Sequence, residues 1–236
     1  MVEAVCSTFP KVAVVLNVGG MVASNWFASD DRIQSVLMAW QGGMEGGAAA
    51  AELLCGFGNP SGKLVDTFAR DLVDYPSTAG FHESENYVDY TEDIFVGYRY
   101  FETLPGAADK VIYPFGYGLS YTTFQYSNMQ AEKADGIYTV TVDVKNTGDR
   151  EGAEVVQLYI AEKNPTVLRP NKELKAFRKV TVEPGKKVVV TFEVDKKMCS
   201  YWCDKNHAWT ANAGEYEILI GTSSADIVAV LPFVVK

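Results

Sequence analysis

Apolar and polar positions follow two different rules along this chain. In the first third, short apolar runs alternate with helix-like stretches. Lys11 to Val18 reads KVAVVLNV, the valine-rich run expected of a parallel strand buried on both faces. Ser29, Asp30 and Asp31 then offer caps for a helix, and Ile33, Val36, Leu37 and Trp40 follow at helical spacing, which predicts a helix packed on the sheet. Gly42 and Gly43 end it, and a second helix of small residues is predicted from Gly46 through Ala51 to Leu54, stopping at Gly56. Asn59-Pro60-Ser61-Gly62 reads as a turn and Lys63 to Phe68 as another strand. This order predicts an α/β layer.

From Tyr138 the period becomes two. Tyr138, Val140, Val142 and Val144 alternate with Thr139, Thr141, Asp143 and Lys145, and the pattern returns at Val188 to Val194 and Tyr216 to Ile220. Turn residues separate these runs at Asn146 to Asp149, Glu183 to Gly185 and Asn212 to Gly214. Such strands, with no convincing helix among them, predict an antiparallel β-sandwich of about 110 residues. The expected fold is therefore α/β followed by all-β. Between the two parts, Tyr87 to Tyr126 is rich in tyrosine and glycine. It is too aromatic for a flexible linker and is expected to pack along both.

The 236 residues suffice for two such units, and 47% hydrophobic with 22% charged residues suits packed cores. A net charge of −9 disfavours nucleic acid and anionic membrane surfaces as partners. No apolar run reaches the roughly 18 residues of a membrane helix, so no membrane partner is expected. The chain opens almost directly into the first strand pattern, without the basic and apolar regions of a secretory leader. That abrupt start suggests a part lying upstream. Cys6, Cys55, Cys199 and Cys203 are scattered, and their spacing argues for reduced thiols rather than a metal site. Unpaired thiols favour a cytoplasmic location.

Several stretches invite a chemical reading. Gly56 to Lys63 has the glycines and lysine of a phosphate loop, but Phe57 and Leu64 occupy positions where that loop needs Gly and Ser or Thr; a helix-ending turn explains it better. The glycines from Gly42 to Gly47 lack dinucleotide-binding spacing and read as a tight turn. Glu83, Glu85, Asp89, Glu92 and Asp93 crowd an aromatic stretch beside His82. Paired carboxylates there would suit glycoside hydrolysis, against the ordinary reading of a solvated acidic face. Glu92 ranks first, because it immediately precedes the apolar residues Ile94 to Val96, expected as a strand, and Asp93 second. The two histidines, His82 and His207, lack an evident nucleophile partner, and no Gly-x-Ser-x-Gly elbow occurs. Trp26, Trp40, Trp202 and Trp209 could stack on sugars, although packing is the default expectation for Trp40 and Trp209. No cofactor is indicated.

Longer motifs then coincide with a known family. VAVVLNVGG (Val12 to Gly20), VLMAWQGGMEGGAAAAELLCGFGNPSGKLVDTF (Val36 to Phe68), YTEDIFVGYRYFE (Tyr90 to Glu102) and YPFGYGLSYTTFQYS (Tyr113 to Ser127) closely resemble the C-terminal half of glycoside hydrolase family 3. This is the family of β-glucosidases and β-xylosidases. VDVKNTGDREGAEVVQLYI, RPNKELKAFRKVTVEPGKK and GEYEILIGTSS (starting at Val142, Arg169 and Gly214) resemble its fibronectin-III-like domain. The resemblance implies residues 1–105 as the end of an α/β sandwich domain, 106–125 as a connecting segment, and 126–236 as a fibronectin-III-like β-sandwich. It also implies that the aspartate nucleophile belongs to a TIM-like barrel preceding this region, and that the acid/base glutamate lies ahead of Val12.

Neither catalytic carboxylate is then expected here. A retaining hydrolase needs the two about 5 Å apart across the anomeric carbon, so the chain alone is expected to be inactive. Glu92 and Asp93 remain as rim candidates, with Trp26 and Tyr90 as sugar-contact candidates. The Tyr98-Arg99-Tyr100 triplet is expected to pin the connecting segment, with Arg99 paired to an acidic neighbour. A parallel sheet without its first strands predicts an uncovered apolar edge, hence marginal stability, self-association or a complementary chain. The substrate expected for the whole is a β-linked glucoside or xyloside. The alternative reading is a stand-alone carbohydrate- or protein-binding module using Tyr90, Trp26 and Tyr117.

Overall fold

Parallel pairing organises the first third of the protein. A computed structural model describes residues 1–81 and 84–236. Helix α1 (Val2–Thr8) leads into strand β1 (Val12–Leu16), a short helix α2 (Asn25–Ala28) follows, and the chain returns as strand β2 (Ile33–Met38) parallel to β1. The residues predicted as a helix after Asp31 are thus β2. Asp30 explains the change: its carboxylate accepts from the Arg32 backbone N–H and from the Arg32 guanidinium, which also reaches Glu3 on α1. That local bond turns the backbone away from a helical start, and the β-branched Ile33 and Val36 then register against Val12 and Val14.

Helix α3 (Gly46–Leu54) matches its predicted span, and Gly56 beyond it takes a φ of 76°, the left-handed stop that glycine supplies. Gly42 lies so close to Gly46 that a Cβ there would stand 2.7 Å from the Gly46 Cα, which makes 42–47 a tight turn. The layer is covered on one side only. Val15 on β1 is exposed, α3 buries no residue, and Met44, Leu54 and Phe57 project into solvent.

The segment from 59 to 69 departs from its prediction. Only β3 (Phe68–Ala69) is a strand; after helix α4 (Tyr98–Phe101) it pairs antiparallel with β4 (Val111–Tyr113). Leu64 instead exchanges backbone bonds with Tyr117 and Gly116. Asn59 is a fastening point rather than a turn residue: its Oδ1 accepts from the Ser120 hydroxyl and the Tyr121 N–H, and its Nδ2 donates to the Glu151 carbonyl. Ile94 to Val96 is likewise no strand. It finishes a turn leading into α4, where Gly97 takes a φ of 59°.

The remainder is a β-sandwich. Its strands are β5 (Phe124–Ala134), β6 (Ile137–Asn146), β7 (Gly152–Glu162), β8 (Glu173–Val182), β9 (Lys187–Val194), β10 (Tyr201–Cys203), β11 (Ala208–Thr210), β12 (Gly214–Gly221) and β13 (Ile227–Val235). One sheet runs β13-β12-β7-β8 and the other β5-β6-β9, while among the described residues β10 and β11 pair only with each other. Asp135-Gly136, both at positive φ, turn β5 into β6. Val140, Val142 and Val144 meet Val156, Leu158, Ile160, Ile218 and Ile220 in the core between the sheets. The alternation predicted for β6, β9 and β12 is the alternation found.

Strand β7 breaks the one-wet-face rule, because residues 156–161 are buried throughout. The connecting segment covers its outer face. Gln157 donates to the carbonyls of Gly116 and Thr222 and accepts from the Tyr159 hydroxyl, and the Tyr159 ring meets Tyr98 edge-on. From Tyr98 to Tyr121 the aromatic stretch packs along both parts, as its composition suggested, whereas Tyr87, Val88 and Tyr90 at its start are exposed.

Candidate functional site

The junction between the α/β layer and the sandwich concentrates the chain's buried charge. Arg169 is buried and holds Glu162 at 2.8 Å and Glu173 at 2.5 Å, while its guanidinium carbon lies 5.7 Å from the centre of the Tyr201 ring. Glu173 also faces Lys175 at 3.4 Å and Arg99 at 4.0 Å. Burial opposes the Glu173 charge, but the hydrogen bond and field of Arg169, with Lys175 and Arg99, outweigh it and hold this carboxyl below its usual range. Tyr98 accepts a hydrogen bond from the Leu174 N–H, and Lys172 pairs with Glu102. The Tyr98-Arg99 pair thus pins α4 to β8.

Lys63, the lysine of the phosphate-loop look-alike, is committed elsewhere. It pairs with buried Glu154 at 3.1 Å and donates to the Gly118 carbonyl. A Cβ on Gly118 would collide with the Gly62 carbonyl oxygen, so this approach requires glycine.

The structure gathers three of the site candidates in one turn. Tyr90, Glu92 and Asp93 follow one another just before α4, with Asp93 N–H donating to the Tyr90 carbonyl and Phe95 N–H to that of Glu92. Tyr90 is 91% exposed. Glu92 is half-buried, and that burial raises its carboxyl above the usual range against a hydrogen bond from Ser77. Asp93 is exposed at a φ of 49°. His82 and Glu83 lie outside the described residues. Trp26 sits on α2 in edge contact with Phe27, and Tyr117 is half-buried against Tyr113.

Trp40 packs beside Phe68, but the expectation of packing fails for Trp209, which is 64% exposed on β11 opposite Trp202. The two rings meet edge-on across a two-stranded ribbon, and neither is among the residues of the sandwich core. No cluster of three potential metal ligands occurs among the described residues. No helix there is long and apolar enough to cross a membrane.

A second grouping was not foreseen in the sequence, where Tyr98 and Arg99 stood out only as a pin for the connecting segment. Asp66, Thr67, Tyr98, Arg99 and Phe115 line a cleft of about 250 Å³ at the junction. The spacing of these residues along the chain gives no hint of it, since it forms where the 65–67 segment meets the start of α4 and Phe115.

Comparison with known proteins now decides the family. The model described as "Glycosyl hydrolase family 3 C-terminal domain" matches residues 1–121, and that of the "Fibronectin type III-like domain" matches 154–224. The chain belongs to glycosyl hydrolase family 3. "Beta-glucosidase A" of Butyrivibrio fibrisolvens is 49% identical over 96% of the chain, and "Exo-alpha-(1->6)-L-arabinopyranosidase" of Bifidobacterium breve 40% identical over 96%. A crystal structure of β-glucosidase from Kluyveromyces marxianus in complex with glucose superposes on the whole chain with a TM-score of 0.91 at 42% identity. The chain spans 30% of the length of each of these two relatives and 28% of the Kluyveromyces chain. It therefore corresponds to the C-terminal region of family 3 hydrolases, an α/β portion followed by the fibronectin-like sandwich.

Proposed function

We propose that this chain is the C-terminal portion of a retaining β-glycosidase acting on β-linked glucosides or xylosides, and that its own residues serve as scaffold and active-site rim. The observation that carries this reading is the continuous match to the C-terminal region of β-glucosidases, over less than a third of their length. The described carboxylates fit a supporting role. Among the site candidates, Glu92 is partly withdrawn from water and Asp93 is exposed. A lone partly buried acid cannot perform a double displacement, which needs a nucleophile and a separate proton donor.

In this reading Tyr90 and Trp26 offer rings to a sugar, and Glu92 offers a hydrogen-bonding carboxyl. The glycone is selected by the barrel. An arabinopyranosidase and a β-glucosidase both resemble this chain at 40% identity or more, which supports that division of labour. We take residues 1–105, 106–125 and 126–236 as the α/β portion, the connecting segment and the sandwich.

The test is hydrolysis of aryl β-glucoside and β-xyloside by the purified chain, alone and mixed with a barrel-bearing part of a family 3 enzyme. No turnover alone and turnover on mixing is the expected result. Turnover by the chain alone that vanishes in Glu92→Gln would overturn the proposal.

A further inference from the structure

The junction cleft holds hydrogen-bonding groups that the fold leaves idle. Asp66 is half-buried and has no hydrogen-bond or ion-pair partner among the described residues. Its neighbour Thr67 is 2% exposed, and its hydroxyl has no partner there either. Burial without a counter-charge raises the Asp66 carboxyl above its usual range. Arg99 lines the same cleft, and among the described residues its side chain has one ion pair, the 4.0 Å contact to Glu173. The rings of Tyr98 and Phe115 stack 4.9 Å apart at 30° and supply an apolar wall, held by the Leu174 N–H on the Tyr98 hydroxyl. A buried polar group without a partner is costly in a folded protein, and the Thr67 hydroxyl, with half-buried Asp66 and Arg99 beside an aromatic wall, has the composition of a small-molecule site.

We propose that this cleft binds a small neutral polyol, no larger than one sugar ring. Each hydroxyl of such a molecule donates one hydrogen bond and accepts others, which suits an acceptor carboxylate, a hydroxyl and a donor guanidinium lining one space. Charge selects against the alternatives. A carboxylate drawn to Arg99 would meet Asp66 in the same cleft, with Glu173 4.0 Å from that guanidinium as a second repelling charge, and an ammonium drawn to Asp66 would meet Arg99. The volume of about 250 Å³ falls below the roughly 300–1,000 Å³ of drug-sized sites, which limits the occupant's size. The aromatic wall takes its C–H face.

The test is a ligand-observed NMR titration of the full 236-residue chain with glycerol, D-xylose and D-glucose, and it needs no turnover. Saturable binding of at least one of them is expected. Asp66→Asn should weaken it at least about tenfold, the loss of a charge-assisted hydrogen bond. Thr67→Val should weaken it a few-fold. Neither variant should lower the melting temperature, because each removes a buried group that the fold leaves unpartnered. Three results would each overturn the proposal: no saturable binding of any polyol, wild-type affinity in Asp66→Asn, or tighter binding of ethanolamine or glycine than of the polyols. Binding lost in Glu92→Gln but kept in Asp66→Asn would move the site to the rim turn and overturn it equally.

Discussion

Cysteine by cysteine, the chain offers four different surroundings. Cys199 is fully buried, and burial pushes its thiol up to about 11, with the fields of Lys175 and Arg169 acting weakly the other way. Cys6 is buried in α1, Cys203 is partly covered and Cys55 is exposed just past α3. Thiolate is the reactive form, so at pH 8 a maleimide or disulfide reagent should modify Cys55 first and leave Cys199 untouched until the fold is opened. Mass spectrometry of the labelled peptides reads this directly; early labelling of Cys199 would contradict its placement. At this scale the sequence was only partly legible. It offered Asp30 as a helix cap, yet the carboxylate serves Arg32 two residues on, a choice that depends on Glu3 also reaching that guanidinium. Asn59 looked like a turn residue because its three partners lie from 61 to 92 positions away.

Strands tell a clearer story than residues. In β6, β9 and β12 the alternation of valine and isoleucine with polar residues marks one wet face, and that local signal survives folding because the sandwich itself supplies the core. Where other parts of the chain decide, the signal fails. β2 carries a helical spacing of apolar residues but pairs with β1, and β7 is buried on both faces because Gly116 and Tyr98 lie across it. The weight of the sandwich core can be measured. Ile218 on β12 is fully buried among Leu158, Ile160 and Phe233, so Ile218→Ala should cost about 2–5 kcal/mol in urea unfolding with an unchanged m-value. A loss under about 1 kcal/mol would mean that the sheets are not packed as described.

Across the whole molecule, two contrasting surfaces matter. The junction is charged, buried and cross-linked by Arg169, Glu173, Lys172 and Tyr98. Because the folded Glu173 carboxyl titrates below its unfolded value of about 4.3, its contribution is present above that pH and is lost as pH falls through the lower, folded value. Glu173→Gln should therefore lower stability by about 2–3 kcal/mol at pH 7, somewhat less than breaking a lone buried pair, since Arg169 keeps Glu162. The gap between variant and wild type should shrink as pH falls below the unfolded value and through the lower, folded one; a constant gap would show that the glutamate acts through packing. The other surface is the bare α/β layer, with Val15, Met44, Leu54 and Phe57 in solvent. The isolated chain is expected to self-associate through it, and sedimentation velocity should show a mass that rises with concentration. A monomer at every concentration would place the marginal apolar patch within what a single chain tolerates.

Among the described residues, the ribbon of β10 and β11 pairs with neither sheet. Its tip, Asp204 to His207, is exposed and carries a lysine and a left-handed histidine. Backbone cleaved or lengthened there breaks no bond of the sandwich, so protease nicking at Lys205 should leave both sheets standing. Such a tip is a place where extra residues can be inserted at little cost to the rest of the fold.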